Sequence, residues 1–319
     1  MRLLICTQVV DQTHPILGFF HRWLVEFAKH VDEVQVICLQ EGSHDLPKNV
    51  HVYSLGKEKG TSKLVQVFRF YRAATGCTYD AVFVHMNPEY VILGGFLWRL
   101  WGKNVGLWYV HKAVNLRLRI ALFFVQHVFT ASLESFRIKS SKVHILGHGI
   151  DTDFFTPDPS VARGSHAISV GRLTKSKRHD LAIEASARAG VELAIIGDGP
   201  ERNALGNLAR SLSAHVRFLG GLNQKEVRDE YRKAAFLIHT SETGSMDKVV
   251  LEALATDLPV ITTSDVYAQF PVHVVRATSE KISEALTHPQ ESTDRLRVVR
   301  EGYGLGLLVH RILSFYASA

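Results

Sequence analysis

Cysteine is scarce in this chain: Cys6, Cys38 and Cys77 are the only three in 319 residues, odd in number, widely spaced and without a CxxC pair. That excludes a disulfide framework and a zinc knuckle, leaves the thiols as core filler, and points to a reducing cytoplasm. Long apolar runs are missing too. The longest stretch free of Asp, Glu, Lys and Arg is Ile120 to Leu133, short of the roughly 20 apolar residues that span a bilayer, so no transmembrane segment is expected. The opening MRLLICTQVV has no small-residue cleavage site after it and reads as a first strand, not a signal peptide. The loop that follows, VVDQTHPILGFFHRWLVEFAK, is not a GxGxxG fingerprint, which counts against an NAD-dependent dehydrogenase. His14, His21, His85 and His111 are too scattered for a metal set, and neither solenoid repeats nor low-complexity segments are visible.

Acid is missing from one region in particular. The formal charge of +6 arises from residues 1–155, with 17 basic against 12 acidic side chains, while 156–319 hold 20 against 19. Between Glu89 and Glu134 there is no carboxylate, and Arg99, Lys103, Lys112, Arg117 and Arg119 are interleaved with Trp98, Trp101, Trp108 and Tyr109. Such a surface attracts anions: membrane headgroups, nucleic acid or a phosphate-bearing substrate. Ordinary helices whose basic ends snorkel out of an apolar packing face give the same pattern.

What is present is a soluble globular composition, 46% hydrophobic and 21% charged, in a chain long enough for two domains. Short apolar runs alternate with longer amphipathic stretches, the pattern of parallel sheets covered by helices. Strands are expected at 2–10, 34–39, 81–85, 105–109, 127–130 and 143–146, then at 166–170, 192–196, 215–218, 235–238 and 259–262. Glycines and prolines cluster in GHGIDTDFFTPDP, residues 147–159, and place the domain join near Thr156. The tail RLRVVREGYGLGLLVHRILSFY reads as helical despite three glycines.

Three stretches of the second half carry chemistry. In SETGSMDKVVLEALATDLPVITT, residues 241–263, a helix beginning near Ser245 would leave the backbone N–H groups of Met246, Asp247, Lys248 and Val249 free for a phosphate, with the Lys248 ammonium nearby. Glu252 would lie about 10 Å along that helix, a span that suits a nucleotide diphosphate with ribose hydroxyls on the carboxylate. The bland alternative is a glutamate on the solvent face of an amphipathic helix. In SVGRLTKSKRHDLAI, Gly171, Arg172 and Lys177 follow a strand, and two cations at the carboxyl end of a parallel strand are where open α/β sheets bind anions; a solvated basic loop is the alternative. In LAIIGDGPERNAL, Gly197, Asp198 and Gly199 turn a strand into a helix, and the glycines would let backbone approach a flat ligand such as a nucleobase.

In this order, GRLTKSK, IIGDGPE, VRFLGGLNQKEVRDEYRKA and GSMDKVVLEALATDLPVITT resemble the donor half of glycosyltransferase family 4, retaining enzymes of GT-B fold that use nucleotide-activated sugars. LWYVHKAV and VFTASLESFRIKSSKVHILGHGID resemble the acceptor half more loosely. The resemblance implies two Rossmann-like, doubly wound parallel-sheet domains facing a cleft: an acceptor-side domain at 1–155, a donor-binding domain at 156–302, and a helix at 303–319 crossing back to the first. It implies that Arg172 and Lys177 hold the donor diphosphate and stabilise the charge of the departing nucleotide, that Glu252 binds ribose, that His111 lines the donor sugar, and that Gly18 lets backbone approach the donor. No metal or other cofactor is implied, the nucleotide diphosphate sugar being a co-substrate.

This sequence departs from the family at Gly244, where the first of two paired glutamates is expected, with Asp247 or Glu242 as substitutes, and at Arg178, where the family usually has glycine. The expected function is transfer of a sugar to a glycan or lipid-linked acceptor in the cytoplasm, with the basic first domain on an anionic membrane surface at its inner face. An inactive nucleotide-sugar binder and a GT-B sugar-nucleotide epimerase are the alternatives, and a nucleic-acid-binding protein is the remote one.

Overall fold

Alternating apolar runs and amphipathic stretches fold as two parallel sheets, each with helices on both faces, in a computed structural model that describes residues 1–288 and 294–317. In the first half the elements run β1 (Arg2–Val10), α1 (Phe19–His30), β2 (Glu33–Glu41), β3 (Val50–Ser54), α2 (Lys63–Gly76), β4 (Ala81–His85), α3 (Pro88–Leu100), β5 (Asn104–Trp108), α4 (Leu116–Phe124), β6 (His127–Thr130) and β7 (Val143–Ile145). The strand order is β3-β2-β1-β4-β5-β6-β7, all parallel. Alternate residues point to opposite faces. Leu3, Ile5, Val36 and Phe83 join α1 in one core, while Leu4, Cys6, Val82 and Leu107 join α2, α3 and α4 in the other. The helices therefore sort cleanly, with α2, α3 and α4 sharing one side of the sheet.

The second half runs β8 (Ala167–Val170), α5 (His179–Ala189), β9 (Leu193–Ile196), α6 (Arg202–Ser211), β10 (Val216–Gly220), α7 (Gln224–Lys233), β11 (Phe236–His239), α8 (Lys248–Ala255), β12 (Val260–Thr262), β13 (His273–Val274), α9 (Ser279–Thr287) and α10 (Arg295–Tyr303). Its sheet has the order β10-β9-β8-β11-β12-β13. Asn223 and Glu226 form a capping box that fixes the start of α7. The sequence-expected strands are present with ends shifted by a residue or two. Two strands were not expected: β3, whose half-buried and exposed residues alternate instead of forming an apolar run, and the two-residue β13.

The chain divides at Gly149 and again at Gly304, giving one unit of 1–149 with 305–319 and another of 150–304. The expected join at 155 is therefore too late: Ile150 and Phe155 are buried in the core of the second unit, and Ile150 N donates to Tyr303 O at 2.8 Å. The expected boundary at 302 is two residues early. The tail is not one helix, because Gly304 is extended (φ −60°, ψ 143°) and a side chain there would meet Arg300 O at 2.8 Å. Beyond it, α11 (Leu305–Ala317) belongs to the first unit. It buries Leu305, Leu308, Val309, Ile312 and Tyr316 beside α1, each worth roughly 1.5–3 kcal/mol in transfer from water. The Tyr316 hydroxyl donates to Val82 O at 3.0 Å.

Candidate functional site

In the second sheet β8 lies beside β11, and the connections leaving these two strands run to opposite sides. That makes their carboxyl ends a topological switch point, the place where open α/β sheets take ligands. From β8 come Gly171, the exposed Arg172 and a short 3₁₀ turn, Lys175–Lys177. From β11 come Thr240 and Ser241 and then the loop to α8. Backbone and hydroxyl bonds tie the two loops together: Thr240 Oγ1 bridges the carbonyls of Lys177 and Arg178 at 2.9 and 2.8 Å, and Glu242 N donates to Ser176 O at 2.9 Å.

Within that frame a polar chain runs from the sheet to the loop. Lys177 Nζ donates to Asp247 Oδ2 at 2.6 Å and lies 3.4 Å from Ser241 Oγ. His239 Nε2 reaches the same carboxylate oxygen at 3.0 Å, and its Nδ1 lies 2.9 Å from Thr262 Oγ1. The Tyr267 hydroxyl accepts from Asp247 N and donates to Asp247 O at 3.1 Å. Burial works to raise the Asp247 carboxyl, but the His239 hydrogen bond and the Lys177 charge outweigh it and hold the group well below the usual carboxylate range. An ionised carboxylate thus sits on the lysine where the resemblance implies a donor phosphate. His239, Tyr267 and Thr262 were not singled out from the sequence; the signal available was a polar run, HTSETG, at the carboxyl end of an apolar strand.

Helix α8 begins at Lys248, not at Ser245, because Asp247, in the N-cap position, is extended (φ −91°, ψ 134°) and makes no side-chain cap bond. Ser245 and Met246 lie in the loop, and the Asp247 amide is taken by Tyr267. Of the four amides named from the sequence, those of Lys248 and Val249 lie in the first turn of α8. Gly244 is left-handed at φ 61°, a conformation a glutamate would enter only with strain. Glu252 is 8% exposed, so the solvent-face alternative is overturned. Its carboxylate acts on two neighbours: burial lowers the Lys248 ammonium to about 8 while Glu252 opposes the shift, and burial and then Glu252 push the Tyr231 phenol well up.

Gly197 and Gly199 have a different reason for being glycine than approach to a nucleobase. Gly197 is at φ 134°, and a methyl group there would stand 2.0 Å from Gly171 O; one on Gly199 would stand 2.4 Å from Leu173 O. The two loops lie against each other, with Leu173 N donating to Asp198 O at 3.0 Å. Asp198 itself is exposed and its Oδ1 accepts from Gly199 N at 2.7 Å. Under this contact His179 is buried, 2.9 Å from Ser169 Oγ, and burial followed by the Lys177 charge lowers its ring to about 4. A cavity of about 510 Å³ beside the same turn is lined by Ser176, Arg178, Glu201, Leu205 and Glu242 among others, and none of Arg172, Lys177 or Glu252 lines it. Arg178 pairs with Asp180 and Glu242.

The structure thus brings Lys177, Asp247 and Ser241 into contact and sets Gly197 against Gly171, and Asp198 and Gly199 against Leu173. Arg172 makes no side-chain hydrogen bond or ion pair among the described residues. Gly18 and His111 belong to the first unit. Gly18 ends a turn in which Gly18 N donates to His14 O at 2.9 Å, and a side chain would meet that oxygen at 2.6 Å. His111 is exposed beyond β5, its Nδ1 accepting from Ala113 N at 2.9 Å.

Two parallel sheets of this winding, one with cations at its switch point, define the doubly wound α/β class. Residues 160–297 match the family described as "Glycosyl transferases group 1". A "GDP-mannose-dependent alpha-mannosyltransferase" of Mycobacterium tuberculosis is 32% identical over 142 residues, 41% of this chain and 36% of that one. A protein of the same description from Corynebacterium glutamicum is 28% identical over 124 residues, 35% of this chain and 29% of that one. The aligned stretch therefore spans about a third of each relative's length. Anabaena Alr3699/HepE, solved with UDP and glucose, superposes over 100% of both chains with TM-score 0.75 at 16% identity. The fold is that of the GT-B glycosyltransferases, and the second unit carries the match to the glycosyl transferase family.

Proposed function

We propose that this protein is a retaining glycosyltransferase of family 4 that moves a hexose from a nucleotide diphosphate donor to a glycan or lipid-linked acceptor, without a metal ion, in the cytoplasm. The observation that carries it is what gathers at one switch point: Arg172, whose side chain has no hydrogen-bond or ion-pair partner among the described residues, Lys177 on the neighbouring turn, and the start of α8. Arg172 and Lys177 meet the diphosphate and stabilise its growing charge as the bond from anomeric carbon to phosphate oxygen breaks. The acceptor oxygen bonds to that carbon from the same face, and its proton passes to the departing phosphate oxygen. No protein nucleophile is required. Glu252 takes the ribose hydroxyls, and Asp247, displaced from Lys177 by the diphosphate, stands in for the acid absent at Gly244. The mannosyltransferase relatives and the UDP-bound neighbour support this donor class.

A second reading has its own observation. The Asp247 carboxylate already neutralises Lys177 at 2.6 Å, as in a protein that binds nucleotide sugars without turning them over. Incubation with UDP- and GDP-sugars separates the two. Transfer predicts free nucleotide accumulating when acceptor is supplied, whereas binding with no release over long incubation would establish the inactive reading.

A further inference from the structure

Helices α2, α3 and α4 cover the same face of the first sheet, burying Phe70, Tyr90, Trp98 and Leu118 inward. Their outward sides are not polar. Leu64 and Phe68 on α2, Phe96 and Leu100 on α3, and Leu116 and Phe123 on α4 are each at least two-thirds exposed. They recur at four- and seven-residue spacing, so each helix carries an apolar ridge on its outer side as well as its inner one. Trp101, at the end of α3, and Ile120 extend the patch. Nine of the fifteen large hydrophobics exposed among the described residues lie on these three helices and the Trp101 that ends α3. Exposed apolar ridges on helices that pack side by side mark an interaction site.

The charge around it is of one sign. The same helices carry Lys63, Arg69, Arg72, Arg99, Arg117 and Arg119 against the single acid Glu89, which is paired with Arg117 at 2.7 Å. Between the ends of α3 and α4 a cavity of about 400 Å³ is lined by Arg99, Phe123, Phe124, Val125, Gln126 and Lys142. The Arg99 guanidinium lies 5.1 Å from the Phe123 ring centroid and has no carboxylate partner among the described residues. Lys142 Nζ caps α4 through the carbonyls of Leu122 and Val125 at 2.9 and 2.7 Å.

We infer that the outer side of the α2–α3–α4 layer binds the surface of an anionic phospholipid bilayer. The apolar ridges enter the headgroup boundary and the arginines meet lipid phosphates, Arg99 at the mouth of the cavity. Apolar area and basic charge acting together are what hold a peripheral protein on such a surface. No helix among the described residues is long and apolar enough to cross the membrane, so this is a protein lying on the bilayer through one face. The inference is independent of the transfer chemistry, which belongs to the other unit.

The test is co-sedimentation of the whole chain with vesicles rich in phosphatidylglycerol and with vesicles of phosphatidylcholine alone. Wild type should partition to the first and little to the second, and added salt should release it. Combined Arg99→Gln, Arg117→Gln and Arg119→Gln should weaken that binding on the order of a hundredfold. Combined Phe96→Ser, Leu100→Ser and Phe123→Ser should abolish it. Because these side chains are exposed, both variants should keep the wild-type melting temperature, and nucleotide binding should persist. Absence of wild-type binding to anionic vesicles would overturn the inference, as would equal binding to both kinds. So would a wild-type dimer that the serine variant converts to monomer with vesicle binding unchanged, which would assign the patch to a second copy of this chain.

Discussion

The two units share one winding plan and present opposite surfaces. Of the large hydrophobics exposed among the described residues, fourteen belong to the first unit and only Leu212 to the second. The second unit instead keeps its chemistry at the strand ends, where Lys177, Asp247 and His239 form a partly buried chain and Glu252 is enclosed. One sheet thus carries its unusual residues on the outside of its helices and the other on its loops. The difference teaches that topology fixes where a ligand crevice lies, while helix surfaces are free to be shaped to their surroundings.

The comparison breaks most sharply if the cations of the second unit are removed. Lys177→Ala and Arg172→Ala should each lower transfer by on the order of 10²–10³, read as nucleotide release under saturating acceptor, whereas the serine variant on the α3–α4 face should leave donor binding intact. Undiminished turnover in Lys177→Ala would mean that the lysine serves only its pair with Asp247. Next in size is Gly197→Ala, which forces a methyl group against Gly171 O and a side chain into φ 134°. It should cost roughly 3 kcal/mol of stability, measured as a fall in the denaturant midpoint, while Gly102→Ala, which meets nothing within 4 Å in the first unit, should cost only the strain of its φ of 62°.

A further effect is one of pH. His179 titrates at about 4 when folded against an ordinary 6.5, so the unfolded chain takes the proton first. The stabilisation is full above about 6.5 and falls away as acid is added towards 4, by about 3 kcal/mol in total. Asp247, held below the ordinary range, adds a loss that begins only below about pH 4. His127 and His144 of the first unit shift downward as well through burial. His179→Asn should therefore flatten the part of the stability-pH curve between 6.5 and 4 that the second unit contributes, and an unchanged curve would place that dependence in the first.

The sheets were legible because buried parallel strands are short continuous apolar runs. The missed β3 is an edge strand whose residues alternate between half-buried and exposed, so no such run exists. The boundary was displaced because GHGIDTDFFTPDP looks like a linker while Phe155 and Ile150 are core. At the candidate site, Glu252 stands out in the sequence as a lone charge in an apolar run, and Arg172 and Lys177 as cations just after a strand. The partners of Asp247 were not, since His239 and Tyr267 stand 8 and 20 residues away in sequence and only the sheet brings them together. Helix α8 starts later than expected because Asp247 turns its carboxylate to Lys177 instead of capping the helix with it. The apolar outer ridges were hidden in the sequence, where an exposed leucine is spelled like a buried one.

The central claim is that the β8 and β11 loops bind a nucleotide diphosphate. It is tested most directly by the thermal shift of wild type and of Arg172→Ala/Lys177→Ala in a panel of UDP-, GDP-, ADP- and TDP-sugars. A concentration-dependent rise in melting temperature is expected with at least one donor, lost in the double variant and reduced in Glu252→Ala. A rise of the same size in the double variant, or none with any donor in wild type, would contradict it.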